Sequence, residues 1–276
     1  MGVPYAEVIG DPVAHSKSPL IHNFWLERLG IEGEYRRTRV TRSELTAFVE
    51  TRRADPDWRG CNVTMPHKEK ILPLLDECRT GGLEAVNCVV RQDSQLIGYN
   101  TDMEGFGRSL PGVGHVDVGA SVCVIGAGGA ARAAIAELDV ISICRFNIIA
   151  RDPSKARLLI GGDAQRGGVF AFGEAPEAMR GCHALVNASP LGMSGFEHVP
   201  EIVLDALPLL APHAFVFDMA YGDAPTELVR RAAALGFDTV DGLTMLVAQA
   251  ASSFAHLFGS HPPAHDPAEL RALLTS

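Results

Sequence analysis

The sequence contains no C-x-x-C pair and no H-E-x-x-H, although it carries 6 cysteines and 10 histidines. Structural zinc sites and disulfide frameworks draw on such spacings, so no metal and no disulfide scaffold is expected. Cys61, Cys78, Cys88, Cys123, Cys144 and Cys182 are scattered, and those in apolar runs such as Val122-Cys123-Val124 read as small buried hydrophobes. No segment reaches the ~20 continuous apolar residues of a membrane helix. The N-terminus Met1-Gly2-Val3-Pro4-Tyr5 has neither a basic region nor a long apolar one, so an exported or membrane-bound protein is not expected and a reduced cytoplasmic one is. Basic charge is in deficit, with 24 Lys and Arg against 33 Asp and Glu for a net charge of −9. That balance excludes an extended nucleic-acid surface but leaves room for a pocket that takes one small anion. No internal repeat and no low-complexity segment is present.

What the chain does have is length and apolar content. Its 276 residues are 47% hydrophobic and 21% charged, enough for two domains rather than one. The densest run of chemistry is Asn62-Val63-Thr64-Met65-Pro66-His67-Lys68. Gly60 to Thr64 reads as a short strand, and Pro66 as the first residue of a helix, where a missing N–H costs nothing. Lys68 is then expected in the first helical turn, where positive partial charge disfavours an ammonium and favours a proton carrier. A solvated surface lysine is the plainer alternative.

Tyr5 to Ile9 reads as a strand broken by Gly10-Asp11-Pro12. Ser18 and Pro19 then open a helix that Gly30 closes. Ser16 and Ser18 at that helix start can hold a carboxylate, or Ser18 can simply cap the helix. Thr41-x-x-Glu44 reads as a capping box for a helix that ends near Asp55-Pro56. A hairpin follows, Ala85 to Val90 and Leu96 to Tyr99, with Asn87 in its first strand. Asn100-Thr101-Asp102 ends the hairpin, and Asp102 reads as an N-cap for a helix from Met103.

Ala120 to Ile125 is a buried-strand pattern that runs into Gly126-Ala127-Gly128-Gly129-Ala130-Ala131. With strand before and alanine-rich helix after, this fits the G-x-G-x-x-G/A turn that seats a pyrophosphate on a helix N-terminus. The next strand ends at Arg151, with Lys155 one turn on. Two cations there suit a 2′-phosphate and hence NADP, whereas Asp152, shifted by one residue, suits the ribose hydroxyls of NAD. Strands at Ala184 to Ala188, Ala214 to Phe217 and Thr239-Val240, with a helix from Thr226 to Leu235, predict a parallel sheet covered by helices. Leu243 to Phe258 reads as a long apolar helix carrying one polar residue, Gln249, which needs either backbone or ligand partners. A short final helix is expected from Pro267 to Leu274.

Together these motifs resemble the shikimate dehydrogenases of the shikimate/quinate dehydrogenase family. The likeness runs from Tyr5 to the Gln249 helix. It is carried by Ser16-Lys17-Ser18-Pro19, Asn62-Val63-Thr64 with Pro66 and Lys68, Ala85-Val86-Asn87, Asn100-Thr101-Asp102, Gly126 to Ala130, Asn187-Ala188-Ser189, Asp218 with Tyr221, and Gly242-Leu243 leading to Gln249. The resemblance implies an α/β protein of two domains around a cleft: a discontinuous substrate domain, residues 1–102 plus 242–276, and a Rossmann-like NADP-binding domain, residues 103–241. It implies that Lys68 and Asp102 are the catalytic pair. Ser16 and Ser18 would hold the substrate carboxylate, and Asn62, Thr64, Asn87, Tyr221 and Gln249 the ring hydroxyls. Gly126, Ala127, Gly128, Gly129, Ala130, Arg151, Lys155, Ser189, Met219 and Gly242 would line the cofactor.

The activity implied is reversible, NADP-dependent reduction of 3-dehydroshikimate to shikimate in aromatic amino acid biosynthesis, by a cytoplasmic monomer or homodimer. Neither nucleic acid nor a membrane is an implied partner. Two alternatives stand beside it: an NAD-dependent quinate/shikimate dehydrogenase of catabolism, and a non-catalytic dinucleotide sensor on the same fold. The sequence departs from the family pattern at Glu84, Cys88, Tyr99 and Thr244, and at the cofactor loop, where Ala150 and Asp152 replace the usual asparagine and hydroxyl residue.

Overall fold

A computed structural model describes residues 2–110, 119–140, 145–161, 164–264 and 267–275; Cys144 lies outside them. The chain forms two compact units, Met1–Gly105 with Leu246–Leu274, and Phe106–Met245.

The first unit begins with β1 (Tyr5–Gly10), α1 (Ser18–Leu29), β2 (Glu34–Arg39), α2 (Leu45–Arg53) and β3 (Trp58–Val63). It continues through β4 (Glu77–Arg79) and the hairpin β5 (Cys88–Gln92) and β6 (Gln95–Tyr99), into α3 (Thr101–Ser109). The sheet order is β2-β1-β3-β5-β6-β4. β1 lies parallel to both β2 and β3, and β5 runs antiparallel to β3 and β6. Alternate side chains divide the sheet into two apolar faces. Tyr5, Ile9, Cys61, Val63 and Val89 pack with Leu45 and Val49 of α2, while Ala6, Val8, Tyr35, Cys88 and Val90 pack with Leu257.

Three local readings are corrected here. Ser18 is the first helical residue of α1 rather than its cap; Lys17 precedes it and makes no side-chain cap bond. The Glu44 carboxylate does accept the Thr41 N–H at 2.8 Å, but α2 starts only at Leu45, one turn later than a capping box predicts. Asn87 lies one residue ahead of β5 instead of within it. β2 carries the sequence EYRRTR and was not read as a strand, because only Tyr35 among its six residues is buried.

The second unit alternates strand and helix: β7 (Ser121–Ile125), α4 (Gly129–Val140), β8 (Arg145–Ile149), α5 (Pro153–Leu159), β9 (Gly167–Phe170), α6 (Ala175–Met179), β10 (Ala184–Asn187), α7 (Glu201–Asp205), β11 (Phe215–Asp218), α8 (Glu227–Ala234) and β12 (Asp238–Val240). All pairs are parallel, in the order β12-β11-β10-β7-β8-β9. That is the doubly wound, Rossmann-like order, with the strand sequence reversing beside β7. Both faces are apolar, as a parallel sheet covered by helices requires. Val122, Val124, Ile148 and Phe217 pack with Ala131, Ala134 and Leu138 of α4, and Cys123, Ile125, Leu185 and Val216 pack with Met179, Val203 and Leu228. The chain ends with α9 (Gly242–Phe258), which passes from the second unit into the first, and α10 (Pro267–Thr275). Among the described residues no helix is long and apolar enough to cross a membrane.

Candidate functional site

The turn after β3 carries Lys68, and it is not helical. The structure replaces the predicted helix from Pro66 with successive turns and a 3-10 turn at Leu72–Leu74. The reason lies in the carbonyls. That of Lys68 accepts the Val86 N–H at 2.8 Å, so it is not available to residue 72, and Pro73 has no N–H to give residue 69. The helix-terminus argument for Lys68 therefore lapses, and a carboxylate holds its ammonium instead. Lys68 Nζ donates to Asp102 Oδ2 at 2.5 Å, with both side chains mostly buried. The preceding residue ties the turn down: His67 is fully buried, and its Nε2 lies 2.6 Å from the Val40 carbonyl. A carbonyl only accepts, so Nε2 carries the proton.

Asp102 is free to meet Lys68 because it is not a cap. The Asn100 side-chain oxygen accepts the Met103 N–H at 3.2 Å and takes that role, which places Asp102 in the first turn of α3. Its other oxygen, Oδ1, accepts from Asn87 Nδ2 at 2.8 Å. Asn87 also donates to Thr101 Oγ1 at 2.9 Å and to Gln249 Oε1 at 3.4 Å, and its own oxygen accepts the Thr101 N–H at 2.6 Å. Gln249 reaches this network because α9 crosses α3 at Gly105. A Cβ there would stand 2.5 Å from Gln249 Cβ and 2.8 Å from its backbone nitrogen. The Gln249 amide has the backbone partner expected of it, its nitrogen donating to the Leu246 carbonyl at 3.0 Å, while its oxygen accepts from the Thr101 hydroxyl at 3.3 Å.

Asn62, at the end of β3, joins the same network. Its Nδ2 donates to the Asn87 carbonyl at 3.1 Å and its oxygen accepts the Tyr35 hydroxyl at 2.6 Å. Lys68, Asp102, Asn87, Asn62, Thr101 and Gln249 thus form one buried polar cluster within the first unit. Thr64 follows directly on β3, its methyl packed where a Cβ on Gly10 would stand, 2.4 Å away. Ser16 and Ser18 lie together at the start of α1, with hydroxyls 3.3 Å apart and the Ser18 N–H directed at Ser16 Oγ. None of their hydrogen bonds reaches the Lys68 cluster. Tyr221 belongs to the second unit, half-buried in the segment after β11. Thr101, His67 and Asn100 stand in motifs named from sequence but were given no site role there. The available signal was their adjacency to Asp102 and Lys68.

In the second unit the glycine turn has the shape its sequence predicts. Gly126 has φ +113, and a Cβ there would lie 2.9 Å from the Ala188 carbonyl, so only glycine fits. Gly128 has open space around its Cβ position, and α4 begins at Gly129 with its first N–H groups outside the helical ladder. Open backbone at a helix N-terminus fits a pyrophosphate. Gly242 packs against the Met219 and Ala220 carbonyls, at 2.5 and 2.6 Å from its Cβ position. The Ser189 hydroxyl donates to Asn187 Oδ1 at 2.6 Å and receives the Leu191 N–H, so it serves first to shape its own turn.

At the end of β8, Arg151 is exposed and lies 3.6 Å from Glu197, while Lys155 is exposed in the first turn of α5. Asp152 is the N-cap of α5, its Oδ1 accepting from the Ser154 hydroxyl at 2.5 Å and from the Ser154 N–H at 3.1 Å. Those bonds, led by the Ser154 hydroxyl, hold its carboxyl below the usual range. Asp152 Oδ1 is therefore engaged by the helix, and Arg151 and Lys155 stand exposed on either side of it. Among the described residues no group of His, Cys, Asp and Glu is arranged to hold a metal ion.

Known proteins share both the sequence and the fold. A family model described as the shikimate dehydrogenase substrate binding domain matches residues 8–89. A shikimate dehydrogenase (NADP(+)) of Sphingopyxis alaskensis is 48% identical over 277 residues, which covers 99% of this chain and 97% of that one. The crystal structure of shikimate 5-dehydrogenase from Thermus thermophilus, in complex with NADP(H) and shikimate, matches with a TM-score of 0.78 at 31% identity over 98% of both chains. Quinate dehydrogenase from Corynebacterium glutamicum, in complex with NAD, matches with a TM-score of 0.82 at 27% identity, also over 98% of both.

Proposed function

The chain belongs to the shikimate dehydrogenase family, and on that premise we propose that it catalyses the reversible, NADP-dependent reduction of 3-dehydroshikimate to shikimate in aromatic amino acid biosynthesis. The observation that carries the reading is the Lys68–Asp102 pair, buried with Asn87 in one hydrogen-bonded cluster. Reduction of a ketone places negative charge on its oxygen, so a proton must arrive as the C–H bond forms. NADPH held by the Gly126 to Ala130 turn would supply the hydride. Lys68 donates its ammonium proton to the carbonyl oxygen, and the π pair of the C=O bond becomes the new O–H bond. Asp102 fixes the lysine and stabilises its cation before the transfer. In the oxidation direction the neutral amine takes the proton back.

The amides around this pair suit a ring bearing hydroxyls, because a ligand lacking one would leave a buried polar group unpaired. Asn62, Thr64, Asn87, Gln249 and Tyr221 are assigned to those hydroxyls, and the Ser16 and Ser18 hydroxyls to the carboxylate. The Gly126 to Ala130 turn, with Ser189, Met219 and Gly242, is assigned to the dinucleotide, and Arg151 and Lys155 to its 2′-phosphate. The identity and coverage of the Sphingopyxis relative, whose name specifies NADP, support that cofactor. So does the commitment of Asp152 to α5.

The test is the initial rate of oxidation of shikimate and of quinate, each with NADP and with NAD. Shikimate with NADP is expected to give the largest kcat/KM, and Arg151→Ala to raise KM for NADP about tenfold while leaving NAD unchanged. A preference for NAD, with quinate turned over, would instead place the enzyme with the catabolic branch.

A further inference from the structure

Among the side chains assigned to substrate, Asn62 is held at both ends of its amide by groups that take no part in the chemistry. Its nitrogen donates to the Asn87 carbonyl, and its oxygen accepts from Tyr35 Oη at 2.6 Å, all of it buried. Tyr35 reaches Asn62 across an intervening strand. It stands on β2 opposite Ala6 of β1, and Ala6 is in turn opposite Gly60 of β3, while Asn62 pairs with Val8 two residues along. The phenol ring packs with Ala6 and Val8 of the intervening strand.

A second layer holds the ring. His22 of α1 stacks on it with centroids 4.0 Å apart and planes 5° apart, and His22 also packs against Phe254 of α9. His22 is fully buried with neither ring nitrogen hydrogen-bonded, and burial lowers its pKa to about 3, so it stacks as a neutral ring. Burial likewise pushes the Tyr35 phenol well above its usual range, which keeps it an O–H donor at every working pH.

We infer that Tyr35 is a positioning residue for substrate recognition: by engaging the Asn62 carbonyl it fixes the amide so that Asn62 offers its remaining N–H to a substrate oxygen. With the phenol present, both the amide's acceptor and one of its two donors are matched inside the protein, and turning the amide over would set its oxygen against the Asn87 carbonyl. Without the phenol, the buried Asn62 oxygen lacks its partner and the side chain has reason to rotate away. The inference rests on the shikimate reading above.

Tyr35→Phe keeps the ring and its stack and removes only the hydroxyl. The variant is expected to raise KM for shikimate about tenfold, the loss of roughly one well-formed hydrogen bond. KM for NADP and kcat should stay within about twofold, since Asn62 contacts neither the cofactor nor the reacting proton. In an Asn62→Ala background the same change should add less than about twofold, because its route through Asn62 is gone. A full tenfold effect in that background would show a general structural role and overturn the inference, as would an unchanged KM in Tyr35→Phe. Asn62→Ala alone with a normal shikimate KM would overturn it whether or not the tyrosine variant folds. A wild-type enzyme that does not turn over shikimate would overturn the function reading together with this one, whereas normal wild-type turnover with an indifferent Tyr35→Phe removes this one alone.

Discussion

Asp102 and Asp218 begin alike and part at their second partner. Both are buried carboxylates at element boundaries, and each accepts a 2.8 Å hydrogen bond from an asparagine amide, Asn87 in the first unit and Asn187 in the second. Asp102 gives its other oxygen to the Lys68 ammonium. Among the described residues Asp218 meets only neutral donors, with the Thr226 hydroxyl at 2.5 Å and the Ala220 N–H at 2.9 Å beside Asn187. Those donors do not offset the loss of water, and burial raises the Asp218 pKa to about 6. The first acid sits against a group that can pass a proton; the second ties the ends of β10 and β11 to the start of α8. Burial and an asparagine partner are common to both acids, and the charge each faces is what separates them.

The largest test of that contrast removes the charge. Lys68→Met is expected to lower kcat about a thousandfold, within the usual range for loss of a proton-transfer group, while KM for shikimate changes only a few-fold. Steady-state rates in both directions check it. Turnover at the wild-type rate would break the comparison, because Asp102 would then be a structural tie like Asp218.

Asp218 offers the converse experiment, read in stability. Its folded pKa of about 6 lies above the ordinary value of 3.8, so the native state binds the proton more tightly than the unfolded chain. The stabilisation is complete below about pH 4 and is lost as pH rises to about 6, on the order of 2–3 kcal/mol for a shift of this size. Glu44, Asp55, Asp76, Glu77 and Asp152 are shifted the other way and add stability as pH rises at the acid end, so the difference between wild type and Asp218→Asn isolates the effect. The wild type should lose stability relative to the variant as pH rises from about 4 to 6, with no further change above about 7. Denaturant unfolding at each pH measures it. A flat difference would mean that the three neutral donors suffice for the ionised form.

The same contrast explains what the sequence made legible. The second unit was readable strand by strand except for β9, because parallel strands buried on both faces appear as continuous apolar runs, and the glycine turn has a shape that little else in sequence produces. The edge strand β2 was not readable: it buries one residue in six, so its alternation falls below any pattern, yet that one residue is Tyr35. Of the two catalytic candidates, Asp102 was read as a cap and Lys68 as a helical residue. Both local rules were sound and both were overruled from outside the segment, by Asn100 taking the cap and by Val86 taking the Lys68 carbonyl. Hydrogen bonds between residues far apart in sequence leave no trace in periodicity, and the cluster of Asn62, Asn87, Thr101 and Gln249 is built from them.

A third acid sharpens the comparison at the smallest scale. Asp152 is also at a strand end, but it is exposed, and its partners are the N–H groups and hydroxyl of the helix it caps. Its three cap bonds, from the Ser154 N–H, the Ser154 hydroxyl and the Lys155 N–H, all fall on Oδ1, so a two-oxygen grip on the ribose hydroxyls would have to break the cap. Asp152→Ala is therefore expected to lower the thermal midpoint by a few degrees at most, through loss of the cap, and to leave the ratio of NADP- to NAD-linked turnover unchanged. A selective loss of NAD-linked turnover would show the carboxylate on the ribose instead. The expectation favours the cap because its bonds close within three residues, where no ligand has to be brought in and no loop has to move.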